Sequence, residues 1–201
     1  GAGCGSEERK SRMRDALRPT WPTAQITVET DLLGAARGLY GKEAGLVLIL
    51  GTGMNAGYYD GQVLNTPMPS LGYVLGDEGS GADIGKHLLR DRLYARIPQR
   101  SEKLIFPQEI EVSEVVQTVY RDPSPQAYLA SFAARLADHL EDTYVAGLIG
   151  SRAAALAELL TRFFSEDERR EVRAVGSVAL GFKSMLEVAL AKEGMRLTDV
   201  R

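Results

Sequence analysis

The sequence predicts an α/β protein, and three features carry this prediction. Leu46–Leu50 is a continuous apolar run bounded by glycines, which is typical of a buried strand. Asp60-Gly61 separates two short segments and is a strong hairpin signal, because a type I′ turn needs positive φ at both central residues. Over Thr143–Phe164, apolar residues recur at helical spacing and form one face. We therefore expect a sheet and long helices in one chain.

The other elements follow from local patterns. Thr30-Asp31 begins a helix that runs through Leu39 and ends near Gly41, and the alternating Gln25–Glu29 before it predicts a strand. We place a domain boundary near Tyr40–Gly45, where this strand–helix unit gives way to the hairpin-bearing sheet. The remaining predicted elements are helices over Glu7–Leu17, Ala82–Tyr94, Ser113–Tyr120 (capped by Ser113) and Tyr128–His139, the hairpin strands Ala56–Tyr59 and Gln62–Asn65, a loop over Arg96–Glu111, a strand at Glu171–Val175, a turn at Gly176-Ser177 and a final helix to about Glu193.

Composition excludes several classes of protein. Of 201 residues, 44% are apolar and 25% are charged, which is a normal globular balance. The net charge of −3 argues against a nucleic-acid binder held by bulk positive charge. The longest apolar run is far shorter than the roughly 20 residues of a membrane span. The single cysteine, Cys4, excludes an internal disulfide framework, so a reducing cytoplasm is the expected location.

The glycine-rich segment Gly51–Ala56 fits the dinucleotide fingerprint G-x-G-x-x-A. That fingerprint requires a helix next, whereas the residues that follow have hairpin chemistry, so nicotinamide binding is disfavoured. A glycine-rich strand–turn–strand can still hold phosphate through backbone N–H groups, with the Thr52 hydroxyl as a further donor. A plain tight hairpin is the alternative.

Two further glycine-rich segments overlap. Gly79–Lys86 approaches the phosphate-loop pattern but fails it, because Ser80 replaces the first glycine and His87 replaces the magnesium-binding hydroxyl. Gly72–Gly81 contains the adjacent acids Asp77 and Glu78, whose carboxylates suit sugar hydroxyls. An exposed acidic turn that caps the next helix is an equally open interpretation.

Asp31 also admits two interpretations. At the start of a helix, a carboxylate is a common N-cap. At the carboxyl end of a strand in an α/β sheet, the same carboxylate can be a general base, because sites in such sheets gather at that edge.

Four segments in this order resemble the N-acetylglucosamine kinase family and the related bacterial activator-type ATPases, both of the sugar kinase, heat-shock ATPase and actin superfamily. The segments are Val28–Ala35, Leu50–Asn55, Leu71–Gly81 and Val175–Ala179. Each is weak alone, but their joint order and spacing are specific. The resemblance covers nearly the whole chain.

The resemblance implies ribonuclease-H-like lobes of the actin-like ATPase fold. Residues 1–43 would be part of the N-terminal lobe, and residues 44–201 most of the C-terminal lobe with a helical insertion. The family's Asp-Gly-Gly-rich strand pair is expected before Gly1, and its last segment after Arg201. We therefore expect this chain to be a partial form.

The resemblance also implies ATP-dependent phosphorylation of an amino sugar, N-acetylglucosamine at its 6-hydroxyl, with Mg²⁺ carried by the nucleotide and no separate protein metal site. Asp31 would be the catalytic base. The nucleotide would contact Gly51, Thr52, Gly53, Gly176 and Ser177, and the sugar Asn55, Gly72, Tyr73 and Asp77. The expected partner is a small amino sugar, with no nucleic acid or membrane, and a homodimer is left open.

Two other functions stay open at this point: a non-catalytic sugar sensor on a kinase fold, and an activator-type ATPase. The latter drives electron transfer through an iron–sulfur cluster and needs thiolates, for which only Cys4 is present. The family usually has serine where this chain has Met54, a residue that contacts the sugar. We therefore expect Met54→Ser to tighten N-acetylglucosamine binding by up to about 1 kcal/mol.

Overall fold

A computed structural model describes residues 3–201 as a five-stranded mixed sheet with helices on both faces. The strands are β1 (Gly45–Leu50), β2 (Met54–Tyr59), β3 (Leu64–Asn65), β4 (Glu171–Val175) and β5 (Arg196–Val200), in the order β3-β2-β1-β4-β5. The central strand β1 pairs antiparallel with β2 and parallel with β4. Residues 1 and 2 of the predicted N-terminal lobe lie outside the described residues.

Ten α-helices lie within residues 3–201. They are α1 (Glu7–Leu17), α2 (Asp31–Tyr40), α3 (Gly72–Leu75), α4 (Gly81–Leu93), α5 (Gln99–Ile105), α6 (Val112–Arg121), α7 (Pro125–Ala134), α8 (Thr143–Phe163), α9 (Ser177–Gly181) and α10 (Lys183–Lys192), with a 3₁₀ turn at Ala137–His139. None of the helices in this described part is long and apolar enough to cross a membrane.

The continuous apolar character of β1 follows from burial on both faces. Leu46, Leu48 and Leu50 belong to the large core with α4, α7, α8 and α10. Val47 faces the other way and packs in a smaller core with residues of α2, among them Leu32. A strand covered on both faces has no solvent side, so it does not alternate.

Helix α2 runs antiparallel to β1, because only a short connection joins the end of the helix to the start of the strand. At the C-terminal end of α2, the Tyr40 hydroxyl lies within hydrogen-bond distance of the carbonyl oxygens of Leu46 (2.9 Å) and Glu171 (3.2 Å), which share its one proton. The N-terminal end of α2, with Asp31, therefore lies toward the carboxyl ends of β1 and β4. The lobe boundary between residues 43 and 44 stays a prediction.

Two predictions of elements were wrong and one strand was missed, because strands and short helices depend on distant partners. Gln25–Glu29 is irregular, and no strand among the described residues pairs with it. Within the predicted loop Arg96–Glu111, α5 forms and buries Ser101 and Ile105 one turn apart. Strand β5 was not predicted, since it forms by pairing with β4.

Helix bounds also differ in detail. Ser113 lies inside the first turn of α6 instead of capping it. The predicted Tyr128–His139 helix begins at Pro125 and ends at Ala134. The final helix is interrupted at Phe182, whose buried side chain separates α9 from α10.

The hairpin between β2 and β3 is confirmed, but its turn is longer than the predicted type I′ turn. Residues 60–63 connect the strands, and of Asp60 and Gly61 only Gly61 has a positive φ, 98°. The Asp60 carboxylate accepts from the N–H groups of Gln62 (2.8 Å) and Val63 (2.6 Å). These two bonds hold the pKa of Asp60 below its usual range and close the wider loop.

Candidate functional site

The turn after β1 is anchored on the N-terminus of α4. Gly51 N–H donates to the Gly53 carbonyl (3.0 Å), which closes the turn. The carbonyl oxygens of Gly51 and Thr52 accept from Gly81 N–H (2.8 Å) and Ala82 N–H (3.0 Å), respectively. Within residues 3–201, the N–H groups of Thr52 and Gly53 donate to no protein group. The strand–turn–strand expected here is confirmed, and two of its N–H groups can meet a ligand.

The turn after β4 packs directly on the end of β1. Gly176 has a φ of 126°, and a Cβ there would lie 2.3 Å from the Leu50 carbonyl oxygen. Its N–H donates to the Arg201 carbonyl (2.9 Å). Because any side chain would collide with β1, glycine is required at this position. Ser177 follows as the first residue of α9.

Both turns open on one cavity of about 350 Å³. Thr52, Ser177, Val178 and Phe182 lie on its wall, and the other lining residues are small: Gly81, Ala127, Ala130, Ser131, Ala133, Ala134, Ala137 and Gly181. Small-molecule pockets usually measure about 300–1,000 Å³, so this cavity has a suitable size. Segments far apart in sequence that were predicted to contact nucleotide thus line a single cavity.

Asp31 lies at the first position of α2 and is exposed. The hydroxyl of Thr30 caps the helix by accepting from Leu33 N–H (3.2 Å), so the interpretation of Asp31 as N-cap is wrong. One Asp31 carboxylate oxygen, Oδ1, accepts from Leu32 N–H (3.0 Å). Oδ2 accepts from no described residue, which leaves it available to a ligand.

Met54 and Asn55 lie on opposite faces of β2. Met54 pairs with Leu50 and joins the large core. Asn55 pairs with Ile49, which packs against the core on the α2 side. Asn55 therefore lies on the face of the sheet that α2 covers, and Asp31 is the first residue of α2. The Oδ1 of Asn55 accepts from the N–H of Ala56 (3.0 Å), which orients the amide.

The orientation of Met54 changes the expectation for Met54→Ser. The Met54 side chain is 7% exposed and packs among apolar residues, so serine would leave a cavity and bury a hydroxyl. We expect this variant to lose about 2–5 kcal/mol of unfolding free energy, the range for truncating a large apolar core side chain. Chemical denaturation measures the loss, with Met54→Leu as the volume-matched control. An unchanged unfolding midpoint in Met54→Ser would contradict the core assignment.

Asp77 reaches the same turn from the acidic loop. Its side chain is half-buried and accepts a hydrogen bond from Met54 N–H. A Cβ on Gly53 would lie 3.0 Å from Asp77 Oδ2, so glycine leaves room for this approach. Burial raises the pKa of the Asp77 carboxyl. Ser80, not Asp77 or Glu78, caps α4 by accepting from Asp83 N–H (3.2 Å), so the helix-capping alternative is wrong.

Gly72 and Tyr73, the other predicted sugar residues, form the first turn of α3 immediately before this loop. Both are partly exposed. Of the residues predicted to contact ligands, Thr52 and Ser177 thus line one cavity, and Asp77 approaches the same turn at Gly53.

A buried polar cluster beneath the loop was missed in the sequence. Asp83 is 3% exposed and accepts from Gly79 N–H (3.0 Å), and its carboxylate lies 3.2 Å from His87 Nδ1 and 3.7 Å from Arg152 Nη1. Burial opposes ionisation, but the bonds from His87 and Gly79 and the charge of Arg152 outweigh it and hold the Asp83 pKa below its usual range. The i, i+4 spacing of Asp83 and His87 was the available signal, but Arg152 comes from the distant α8.

No protein-family model matches the chain. A curated N-acetylmuramic acid/N-acetylglucosamine kinase of Clostridium acetobutylicum is 28% identical over 137 residues, which cover 65% of this chain and 44% of that protein. The chain therefore spans less than half the length of this relative.

Solved structures give a closer likeness. A candidate N-acetylglucosamine kinase of Porphyromonas gingivalis is 32% identical over 100% of this chain and 71% of its own, with a TM-score of 0.91. A second, from Chromobacterium violaceum, is 18% identical over 97% of this chain and 68% of its own, with a TM-score of 0.56, and supports the fold alone. The first match, over the whole chain and on the same α/β architecture, shows that this chain belongs to the N-acetylglucosamine kinase family of the actin-like ATPase superfamily.

Proposed function

We propose that the complete protein transfers the γ-phosphoryl group of ATP to the 6-hydroxyl of N-acetylglucosamine. One observation supports this proposal: the turn at residues 51–53 adjoins both a cavity and the acidic loop that carries Asp77. On one side, Thr52 lines the cavity shared with Ser177. On the other side, Asp77 approaches Gly53 and accepts from Met54 N–H. A kinase needs its two substrates to meet at such a junction.

The cavity beside Thr52 and Ser177 suits the adenosine part of ATP, because its mostly small lining side chains leave a volume of about 350 Å³. The N–H groups of Thr52 and Gly53 are available to phosphate oxygens. When bound, ATP supplies the phosphoryl group, and its Mg²⁺ neutralises phosphate charge. We propose that Mg²⁺ arrives with the nucleotide, since the metal ion bridges phosphate oxygens in phosphoryl transfer.

Asp31 is our candidate for the general base. The bond from Leu32 N–H orients its carboxylate, and Oδ2 is open to accept the proton of a sugar hydroxyl. Asn55 and Asp77 would bind the other sugar hydroxyls, with Gly72 and Tyr73 beside the ring. Phosphoryl transfer depends mainly on positioning and charge stabilisation, which these side chains can supply.

We expect Thr52 and Asn55 to serve different substrates although they are only three positions apart in the chain. Thr52 faces the cavity shared with Ser177, whereas Asn55 lies on the α2 face of the sheet. Thr52→Ala should raise the KM for ATP more than that for the sugar, and Asn55→Ala should do the reverse. Steady-state kinetics with each substrate varied in turn measure this. Parallel effects from both variants would contradict separate roles.

A transfer screen tests the function itself. The complete gene product is incubated with radiolabelled ATP and, separately, N-acetylglucosamine, glucosamine, glucose and N-acetylmannosamine. We expect the highest kcat/KM with N-acetylglucosamine and label at the 6-position. Binding of a sugar without transfer to any of the four would favour the sensor function. The activator-type ATPase gains no support, because the Cys4 thiol is buried.

A further inference from the structure

The loop that carries Asp77 holds an unusual backbone. Gly72, Asp77 and Gly79 all have positive φ, at 70°, 59° and 75°. Asp77 is one of two non-glycine residues with positive φ in the described part of the chain, and this conformation is unfavourable for a residue with a Cβ. Such strain persists only where surrounding contacts over-determine the backbone.

Helix α4 holds this loop at both ends. Lys86 Nζ donates to the Tyr73 carbonyl (3.1 Å), before Asp77 in the chain. Asp83 Oδ2 accepts from Gly79 N–H (3.0 Å), after Asp77. The two side chains are three residues apart on one face of α4, and Lys86 Nζ lies 3.7 Å from Asp83 Oδ1.

The buried end of this arrangement is tied to α8. Arg152 Nη1 lies 3.7 Å from Asp83 and 3.3 Å from His87 Nε2. A Cβ on Gly79 would lie 3.2 Å from the Arg152 carbonyl oxygen, so the loop is also packed closely on α8. The positive charge of Arg152 therefore compensates the negative charge of Asp83. Asp83 Oδ2 stays in place to accept the hydrogen bond from Gly79 N–H in the loop.

We propose that Asp83 and Lys86 are positioning residues that clamp the loop on both sides of Asp77 and so set the geometry with which Asp77 binds sugar. The inference rests on the proposed sugar site. Neither residue needs to touch the sugar. Their contacts restrict the loop before the sugar binds, so Asp77 loses less conformational entropy on binding. This is the physical basis of pre-organisation.

Lys86→Met is the main test, because its side chain is 37% exposed and the methionine keeps the apolar stem. We expect the Kd for N-acetylglucosamine to rise roughly 3- to 10-fold, with the Kd for ATP unchanged. This is the size of one ordinary hydrogen bond, because Lys86 acts on the sugar only through the loop. Lys86→Arg should recover most of the affinity. The matched control is Lys103→Met, an exposed lysine on α5 that should bind sugar like the parent. Asp83→Asn is the second variant, since it keeps an oxygen acceptor but removes the charge.

A double-mutant cycle separates positioning from a general structural effect. If Lys86 acts through Asp77, then Lys86→Met should add little to the loss already caused by Asp77→Ala. Additive losses, or an unchanged Kd in Lys86→Met, would overturn the proposal.

A second readout does not depend on sugar. Amide hydrogen exchange over residues 73–79 should be faster in Lys86→Met than in the parent and in Lys103→Met. If the parent binds no sugar, the proposed function fails, while the exchange result still decides whether the clamp exists. Equal exchange in all three proteins would overturn it.

Discussion

Asp31→Asn in the complete protein is expected to lower turnover by about 10²–10⁴-fold, the usual contribution of a positioned general base. The amide keeps the shape of the side chain and can still accept from Leu32 N–H, as Asp31 Oδ1 does. It cannot take the proton of a sugar hydroxyl. Folding should therefore be retained while kcat falls, and the Kd for both substrates should change little.

Thr30→Ala is the matched control, because Thr30 and not Asp31 caps α2. Loss of this cap should cost about 1 kcal/mol of unfolding free energy and leave turnover per folded molecule close to that of the parent. Thermal unfolding and single-turnover kinetics on both variants distinguish the roles. Equal turnover in Asp31→Asn and the parent would remove Asp31 from the chemistry.

Asp77→Ala is expected to weaken sugar binding by roughly one to two decades, since a hydrogen bond to a charged group contributes about 1.5–3 kcal/mol.

The dependence of sugar affinity on pH has a definite sign. Burial raises the pKa of Asp77, so its carboxylate is lost on acidification at a higher pH than for an ordinary aspartate. Sugar affinity should therefore fall earlier on acidification than the fold does. Calorimetric titration across this range measures the effect.

The same burial has the opposite consequence for stability. A carboxyl whose pKa is raised in the folded state stabilises the fold while protonated, and this contribution is lost as the pH rises through the raised pKa. At neutral pH the ionised Asp77 therefore costs stability. Asp77→Asn should raise the melting temperature at neutral pH while it weakens sugar binding, and Asn also tolerates the φ of 59° better. The exposed Asp167→Asn is the control, and a lower melting temperature in Asp77→Asn would contradict the assignment.

Local pattern was sufficient for much of the fold. The apolar run of β1 and the periodic face of α8 appear where the sequence predicts them, because burial of their side chains is encoded in consecutive residues. Strand β5 and helix α5 were missed, since β5 depends on hydrogen bonds to β4 and α5 on burial of Ser101, which bonds Asp142. The opposite error occurred at Gln25–Glu29, where a strand was predicted but not formed. Its apolar and polar residues alternate, but no strand within residues 3–201 pairs with it.

By itself, the sequence determined the α/β class and the glycine turns, because these depend on residue types at short spacings. It also identified the family, because four such segments occur in a specific order along the chain. Only the tertiary structure decided which side chains meet. It assigned the cap of α2 to Thr30. It placed Met54 in the large core and Asn55 on the opposite face of β2. It also brought Ser177 to the cavity that Thr52 lines. It also brought Arg152 to Asp83 beneath the Asp77 loop. These relations join residues far apart in the chain, so they arise only when the sheet and its helices pack, and no local pattern contains them.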